Sequence, residues 1–231
     1  MPRPEPVTEH SPLKGETTPV EPDRLERAIA RRVAETRATV PDLELGTDVS
    51  ADACLELARE RGWPLTALLL RACAIALREF PRANGAYRDG RFELYSRVNI
   101  GVTIPTDDGQ VTPTVLDADT KPPAQLGEEL ERLGKRARAG ELTPPELAGA
   151  TFTFSDLGEH GVHRPGALIT PPQAAALAAG AVRSVAAVRD GALVPGHALS
   201  LTLACDHRIL YGARAAGFLG RIAELLEHPQ P

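Results

Sequence analysis

No apolar run in the sequence is long enough to cross a membrane, and no stretch reads as a secretory leader, so a cytoplasmic protein without a membrane partner is expected. Nor is there a contiguous Lys/Arg stripe. The 26 basic residues are scattered among 31 acidic ones for a formal charge of -5, which argues against nucleic acid as a partner. A G-x-x-x-x-G-K phosphate loop and internal repeats are both missing, leaving ATP-driven chemistry and solenoid architectures without support. Cysteine is scarce. Cys54, Cys73 and Cys205 stand singly in apolar patterns, without the spacing of a disulfide framework or a zinc site, so a reducing compartment and no metal are expected.

What is present suits one globular unit: 231 residues, 42% hydrophobic and 25% charged, enough for a single sizeable core. Residues 1–21, rich in Pro, Glu and Thr without apolar periodicity, are expected to form a flexible tail, and residues 22–231 a single domain. Pro22 and Asp23 open an arginine-rich helix that ends before Pro41. Alternation from Leu43 to Ser50 predicts a half-buried strand, and Ser50 to Arg61 returns to helical spacing. Thr66 to Phe80 is apolar around so much of its circumference that it reads as the central buried helix. Two strands, Arg91–Pro105 and Val111–Leu116, are expected around an Asp107-Asp108-Gly109 turn. A helix over Pro123–Ala139 follows, then strands at Thr151–Gly158, Val182–Val188 and Ala198–Ala204. The last helix places Ala215, Phe218, Leu219, Ile222 and Leu226 on one stripe.

Two stretches carry chemical content. In Cys205-Asp206-His207-Arg208-Ile209-Leu210-Tyr211-Gly212, a histidine stands where a buried strand meets a glycine-punctuated turn, a placement that suits a general base. Cys205 beside it raises a Cys/His nucleophile pair, weighed against the commoner fate of an isolated cysteine as a small buried hydrophobe. In Thr151-Phe-Thr-Phe-Ser155-Asp156-Leu-Gly158, an alternating strand delivers Ser155 and Asp156 into a glycine turn, where either could simply cap the turn. His160 and His163 lie in the following loop with no thiol or carboxylate at metal spacing.

Together these stretches resemble the active-site signatures of the 2-oxoacid dehydrogenase acyltransferase catalytic domains, relatives of chloramphenicol acetyltransferase. Pro81-Arg-Ala-Asn84, Asn99 to Pro105 and the Ile169-Thr-Pro-Pro-Gln-Ala-Ala run resemble further elements of that family in its order. The resemblance implies an α/β (α+β) fold, a large mixed sheet flanked by helices. It also implies a homotrimer with each active site between two subunits. On it, His207 is the catalytic histidine and Ser155 the hydroxyl that hydrogen-bonds the oxyanion of a tetrahedral intermediate. Coenzyme A, as acetyl-CoA, is the implied co-substrate, and Asp156, Asp206, Arg208 and Tyr211 are expected to shape the site. Nothing in the sequence places the residues that bind coenzyme A.

One position departs from the pattern. Tyr211 stands where the family carries an Asp understood to pair with an arginine and brace the site. A phenol is neutral near pH 7 and cannot form that ion pair. Its hydroxyl and ring leave two readings, altered bracing in an active enzyme or a decayed site in a non-catalytic scaffold. With no lipoyl domain or apolar C-terminal anchor visible, the chain is also expected to resemble stand-alone O-acetyltransferases of antibiotic biosynthesis that act on a hydroxyl of a small-molecule intermediate such as a tetronate. A transacylase core served by a lipoyl domain on another polypeptide is the alternative.

Overall fold

The computed structural model describes residues 17–107 and 109–230, and for Arg24 and Leu25 the backbone alone. Most of the expected tail, residues 1–16, and Asp108 of the expected turn therefore lie outside the described residues; residues 17–23 are exposed and without regular structure. The segment up to Glu35 and the segment from Thr36 onward are two compact units.

The chain opens with helix α1 (Arg24–Thr39), strand β1 (Asp42–Ser50) and helices α2 (Asp52–Arg61) and α3 (Leu65–Glu79). Gly62 closes α2 in the left-handed region at φ 68°, where a side chain would be strained, and Pro64 caps the start of α3 in an extended conformation. A short hairpin follows, β2 (Gly85–Arg88) and β3 (Arg91–Leu94), then β4 (Ile100–Thr106), β5 (Gly109–Val111), β6 (Thr114–Val115) and helix α4 (Pro123–Arg138). Strands β7 (Phe152–Asp156), β8 (Ala175–Ala179), β9 (Arg183–Arg189) and β10 (Ala192–Asp206) lead to helix α5 (Gly212–Glu227).

The main sheet is mixed, in the order β1-β10-β8-β7-β4-β5, with β6 also on β4 and β9 on β10. Strands β4, β7 and β8 run parallel, and the remaining pairings are antiparallel. Helix α3 packs between α4 and α5, while α5 lies against β1 and α4 against β4. Alternation along β7 sorts its residues: Phe152 and Phe154 are fully buried, and Phe152 meets Phe218 of α5 edge-on at 6.0 Å. Each such phenylalanine stabilises the fold by about 2–3 kcal/mol through the apolar surface it removes from water. Thr153 and Ser155 point the other way, toward Gln173 and Thr103.

Three expectations need correction. The single strand over Arg91–Pro105 is two: β3 belongs to a separate two-stranded sheet with β2, and β4 to the main sheet. The break arises because the buried Asn84 carboxamide takes the Tyr95 and Arg97 carbonyls, turning that segment out of a ladder. The strand expected at Ala198–Ala204 is the distal part of the fifteen-residue β10. The strand expected over Val111–Leu116 is likewise two, β5 ending at Val111 and β6 at Thr114–Val115, and the alanine-rich β8, which no expectation covered, is a central strand, buried at every position between β7 and β10.

Candidate active site

His207 follows directly on β10. Its backbone N–H donates to the Pro41 carbonyl at 3.0 Å, and its side chain is exposed. Among the described residues its imidazole makes no hydrogen bond. Its ring contact is with Tyr211, centroid to centroid 6.3 Å at an interplanar angle of 61°. On either side of the histidine, Asp206 is buried and Arg208 half-buried. The Asp206 carboxylate accepts from the Arg208 backbone N–H at 3.0 Å, from Nε at 2.9 Å and from Nη2 at 2.7 Å. That bonding raises the Arg208 guanidinium above its ordinary pKa, so it stays charged.

Cys205 is fully buried, its Sγ within 3.2 Å of the Leu210 carbonyl. Burial, with the Asp206 and Asp42 charges, pushes the thiol up to about 11. A thiolate nucleophile there is unavailable at neutral pH, which resolves the Cys/His pairing in favour of a buried hydrophobe.

Ser155, the other candidate, sits near the close of β7. Its Oγ shares a hydrogen bond with Thr103 Oγ1 at 3.0 Å, across a register that pairs these two residues on parallel strands. Thr103 joins the candidate site, though the sequence did not single it out, since only the β4–β7 pairing brings it to the serine. Asp156 uses both carboxylate oxygens on structure: Oδ2 accepts from Thr66 at 2.8 Å and Oδ1 from the Gly158 backbone at 3.0 Å. It fixes the turn after Ser155. Thr66, Thr103 and Asp156 line a cleft of about 780 Å³, walled further by Trp63, Pro105 and Leu130. That volume falls in the range of small-molecule sites. His160 and His163 are exposed in the loop beyond.

Within one chain the structure does not bring Ser155 and His207 together. Strand β10 runs antiparallel to β8 and β8 parallel to β7, so β7 and β10 finish at opposite ends of their strands, with β8 between them. Ser155 is level with Ala178 and through it with Thr202. From there His207 is about 17 Å farther along the strand and two strands aside, a separation on the order of 19 Å. No proton or hydrogen bond passes between the two side chains over that distance.

A family model described as 2-oxoacid dehydrogenases acyltransferase (catalytic domain) matches residues 14–231. The acetyltransferase component of the pyruvate dehydrogenase complex of Zymomonas mobilis is 34% identical over 214 residues, covering 89% of this chain and 49% of that protein. The chain thus spans about half the length of the curated relatives it matches. Dihydrolipoamide acetyltransferase of Azotobacter vinelandii, investigated for the roles of a serine, a histidine and an asparagine in its catalytic mechanism, superposes with a TM-score of 0.86 at 29% identity, over 98% of this chain and 97% of that one. A cubic core of a pyruvate dehydrogenase multienzyme complex gives the same TM-score at 30% identity and the same coverage. Chloramphenicol acetyltransferase shares the fold at a TM-score of 0.55 and 16% identity, covering 86% of this chain and 92% of that one.

Proposed function

The chain belongs to the 2-oxoacid dehydrogenase acyltransferase catalytic-domain family, and from that premise we propose that it moves an acyl group, acetyl in the simplest case, between the thiol of a dihydrolipoyl arm and coenzyme A. The hydroxyl acceptor expected from the likeness to stand-alone tetronate enzymes is not what the matched relatives act on. Those relatives are acetyltransferase components of pyruvate dehydrogenase complexes, and they favour a thiol acceptor carried on a lipoyl domain.

The observation that carries the reading is a coincidence of intervals. In the Azotobacter vinelandii protein the serine and histidine are separated by as many positions as Ser155 and His207 are here, and its asparagine follows the histidine as Tyr211 follows His207. The coincidence supports reading Ser155 and His207 as the counterparts of that serine and histidine. A residue without charge at the third place is also compatible with that comparison, which favours altered bracing over a decayed site.

A separation on the order of 19 Å within one chain favours a site completed by a second copy. A heterologous contact repeated around a threefold axis closes on itself and pairs His207 of each copy with Ser155 of the next. At such a site neutral His207 takes the proton from the attacking thiol as its sulfur bonds to the thioester carbonyl carbon. The carbonyl oxygen gains negative charge and accepts a hydrogen bond from the Ser155 hydroxyl. Collapse breaks the original carbon–sulfur bond, and the departing thiolate recovers the proton from the imidazolium. No acyl-enzyme forms. The cleft lined by Thr103 and Asp156, the neighbours of Ser155, has the size to admit a pantetheine or lipoyl arm.

The test is thiol turnover by the purified protein with acetyl-CoA and dihydrolipoamide, and separately with a panel of small alcohols including hydroxymethyl tetronates. Transfer to dihydrolipoamide, lowered by two to four powers of ten in His207→Ala, is the expected result. Transfer to alcohols alone would restore the hydroxyl reading, and failure with every acceptor would leave a scaffold.

A further inference from the structure

We infer that the β2–β3 hairpin is the device that holds the His207 imidazole in place, its two rings Tyr87 and Phe92 seating the arginines, Arg208 and Arg82, that secure the histidine from either side. The inference rests on His207 being the base of the proposed reaction.

The need for such a device is plain from His207 itself. A general base has to present one nitrogen in one direction, and a histidine usually gains that orientation from a hydrogen bond to its other nitrogen. Here the imidazole has no hydrogen bond among the described residues, and its neighbour is the ring of Tyr211. Whatever fixes Tyr211 therefore fixes the base.

Tyr211 is fixed by cations. Its hydroxyl accepts from Arg82 Nη1 at 2.9 Å, and the guanidiniums of Arg82 and Arg214 lie 5.7 Å and 6.0 Å from its ring centre. Arg82 in turn has its guanidinium carbon 4.6 Å from the centre of the Phe92 ring. On the other flank Arg208, already bound to Asp206, lies 4.6 Å over Tyr87. Tyr87 and Phe92 are directly opposite in the hairpin register, with ring centres 6.0 Å apart. The contacts thus close into a circuit from Asp206 through Arg208, Tyr87, Phe92, Arg82 and Tyr211 back to His207. Cation–π and edge-on ring contacts are individually weak and directional, and a closed set of them restricts each member more than a pair would.

The hairpin is rigidly tied to the histidine turn. The Ala174 N–H donates to the Gly85 carbonyl and the Asp206 N–H to the Ala174 carbonyl, both at 2.8 Å. A Cβ on Gly85 would come within 2.6 Å of the Glu93 carbonyl oxygen, so glycine is what lets β2 and β3 pair this closely at the base of the hairpin. Phe92 is 44% exposed. Tyr211 thus keeps an arginine partner through a hydrogen bond where an aspartate would have used an ion pair.

Arg82, Tyr87 and Phe92 are positioning residues, and the experiment separates positioning from folding. Phe92→Ala, Phe92→Tyr and Arg82→Ala are compared with the parent in acetyl-CoA and dihydrolipoamide turnover. The two alanine variants are expected to lose about tenfold or more in kcat with both KM values within about twofold, and Phe92→Tyr to recover the parental rate. In parallel, carbethoxylation of His207 by diethyl pyrocarbonate is followed by peptide mass. It should run severalfold faster in both alanine variants and at the parental rate in Phe92→Tyr. This second readout needs no turnover, so an inactive parent would sink the proposed function while the hairpin is still judged. Unchanged His207 modification in both alanine variants overturns the inference whatever kcat does.

Discussion

Asp206 and Arg208 bind each other across His207, the buried carboxylate taking the arginine's backbone N–H as well as its guanidinium. The histidine is therefore the middle residue of a closed ring rather than a free turn residue. Asp206→Ala would leave the Arg208 charge without its partner and the turn without its clamp. Removing one partner of a fully buried pair costs about 3–5 kcal/mol, and with the Arg208 side chain a third exposed the expected loss is about 2. Denaturant unfolding of Asp206→Ala against the parent reads this directly. Stability within about 0.5 kcal/mol of the parent would show that the pair does not hold the turn.

A site shared between copies predicts complementation. His207→Ala and Ser155→Ala chains, each nearly inactive alone, are co-expressed and assembled at random. A contact that pairs the histidine of one copy with the serine of the next is intact in about a quarter of cases. Thiol turnover should therefore recover to about a quarter of the parental rate. Recovery to no more than the average of the separate variants would place both groups in one chain and contradict the sheet geometry.

Thr103 has a smaller predicted effect. A hydroxyl carries one proton, so Ser155 cannot donate to Thr103 and to an oxyanion at the same moment. If Thr103 donates instead, the Ser155 proton is free and already aimed. Thr103→Val removes that donor at nearly constant volume, and a net loss of about 1 kcal/mol corresponds to about a fivefold fall in kcat. Ser155→Ala should cost about two to three powers of ten. Steady-state kinetics on the pair of variants would contradict the arrangement if Thr103→Val were as damaging as Ser155→Ala.

The residues that were legible in the sequence are those whose meaning is local. Helix α5 buries the five residues its spacing marks, and α3 is buried along most of its length, because the 3.6 period is a property of the chain itself. His207 and Ser155 stand in short fixed patterns. Strand β8 was illegible: Ala175–Ala179 is buried throughout, so it lacks alternation, and alanine by itself favours helix. Thr103 and Arg82 were missed for another reason. Each acquires its role from a residue far along the chain, through the β4–β7 register and through the hydrogen bond to Tyr211.

Acid should destabilise the fold through carboxylates outside the site. Hydrogen bonds from Ser200, then Arg183, hold Asp48 below its ordinary pKa; His197 does the same for Asp52, and Arg221 for Glu79. A folded-state value below the unfolded one means that the unfolded chain binds more protons in that interval. The stability these groups contribute is then complete above the ordinary carboxylate range of about 4 and is lost as pH falls through the lower folded-state values. Thermal midpoints should accordingly be level from pH 7 to about 5 and decline below about 4. Glu79→Gln, which removes one of these groups while keeping a hydrogen-bond acceptor for Arg221, should make the decline shallower. A parental midpoint unchanged between pH 6 and 3 would mean that these pairs add nothing to stability, as exposed pairs often do not.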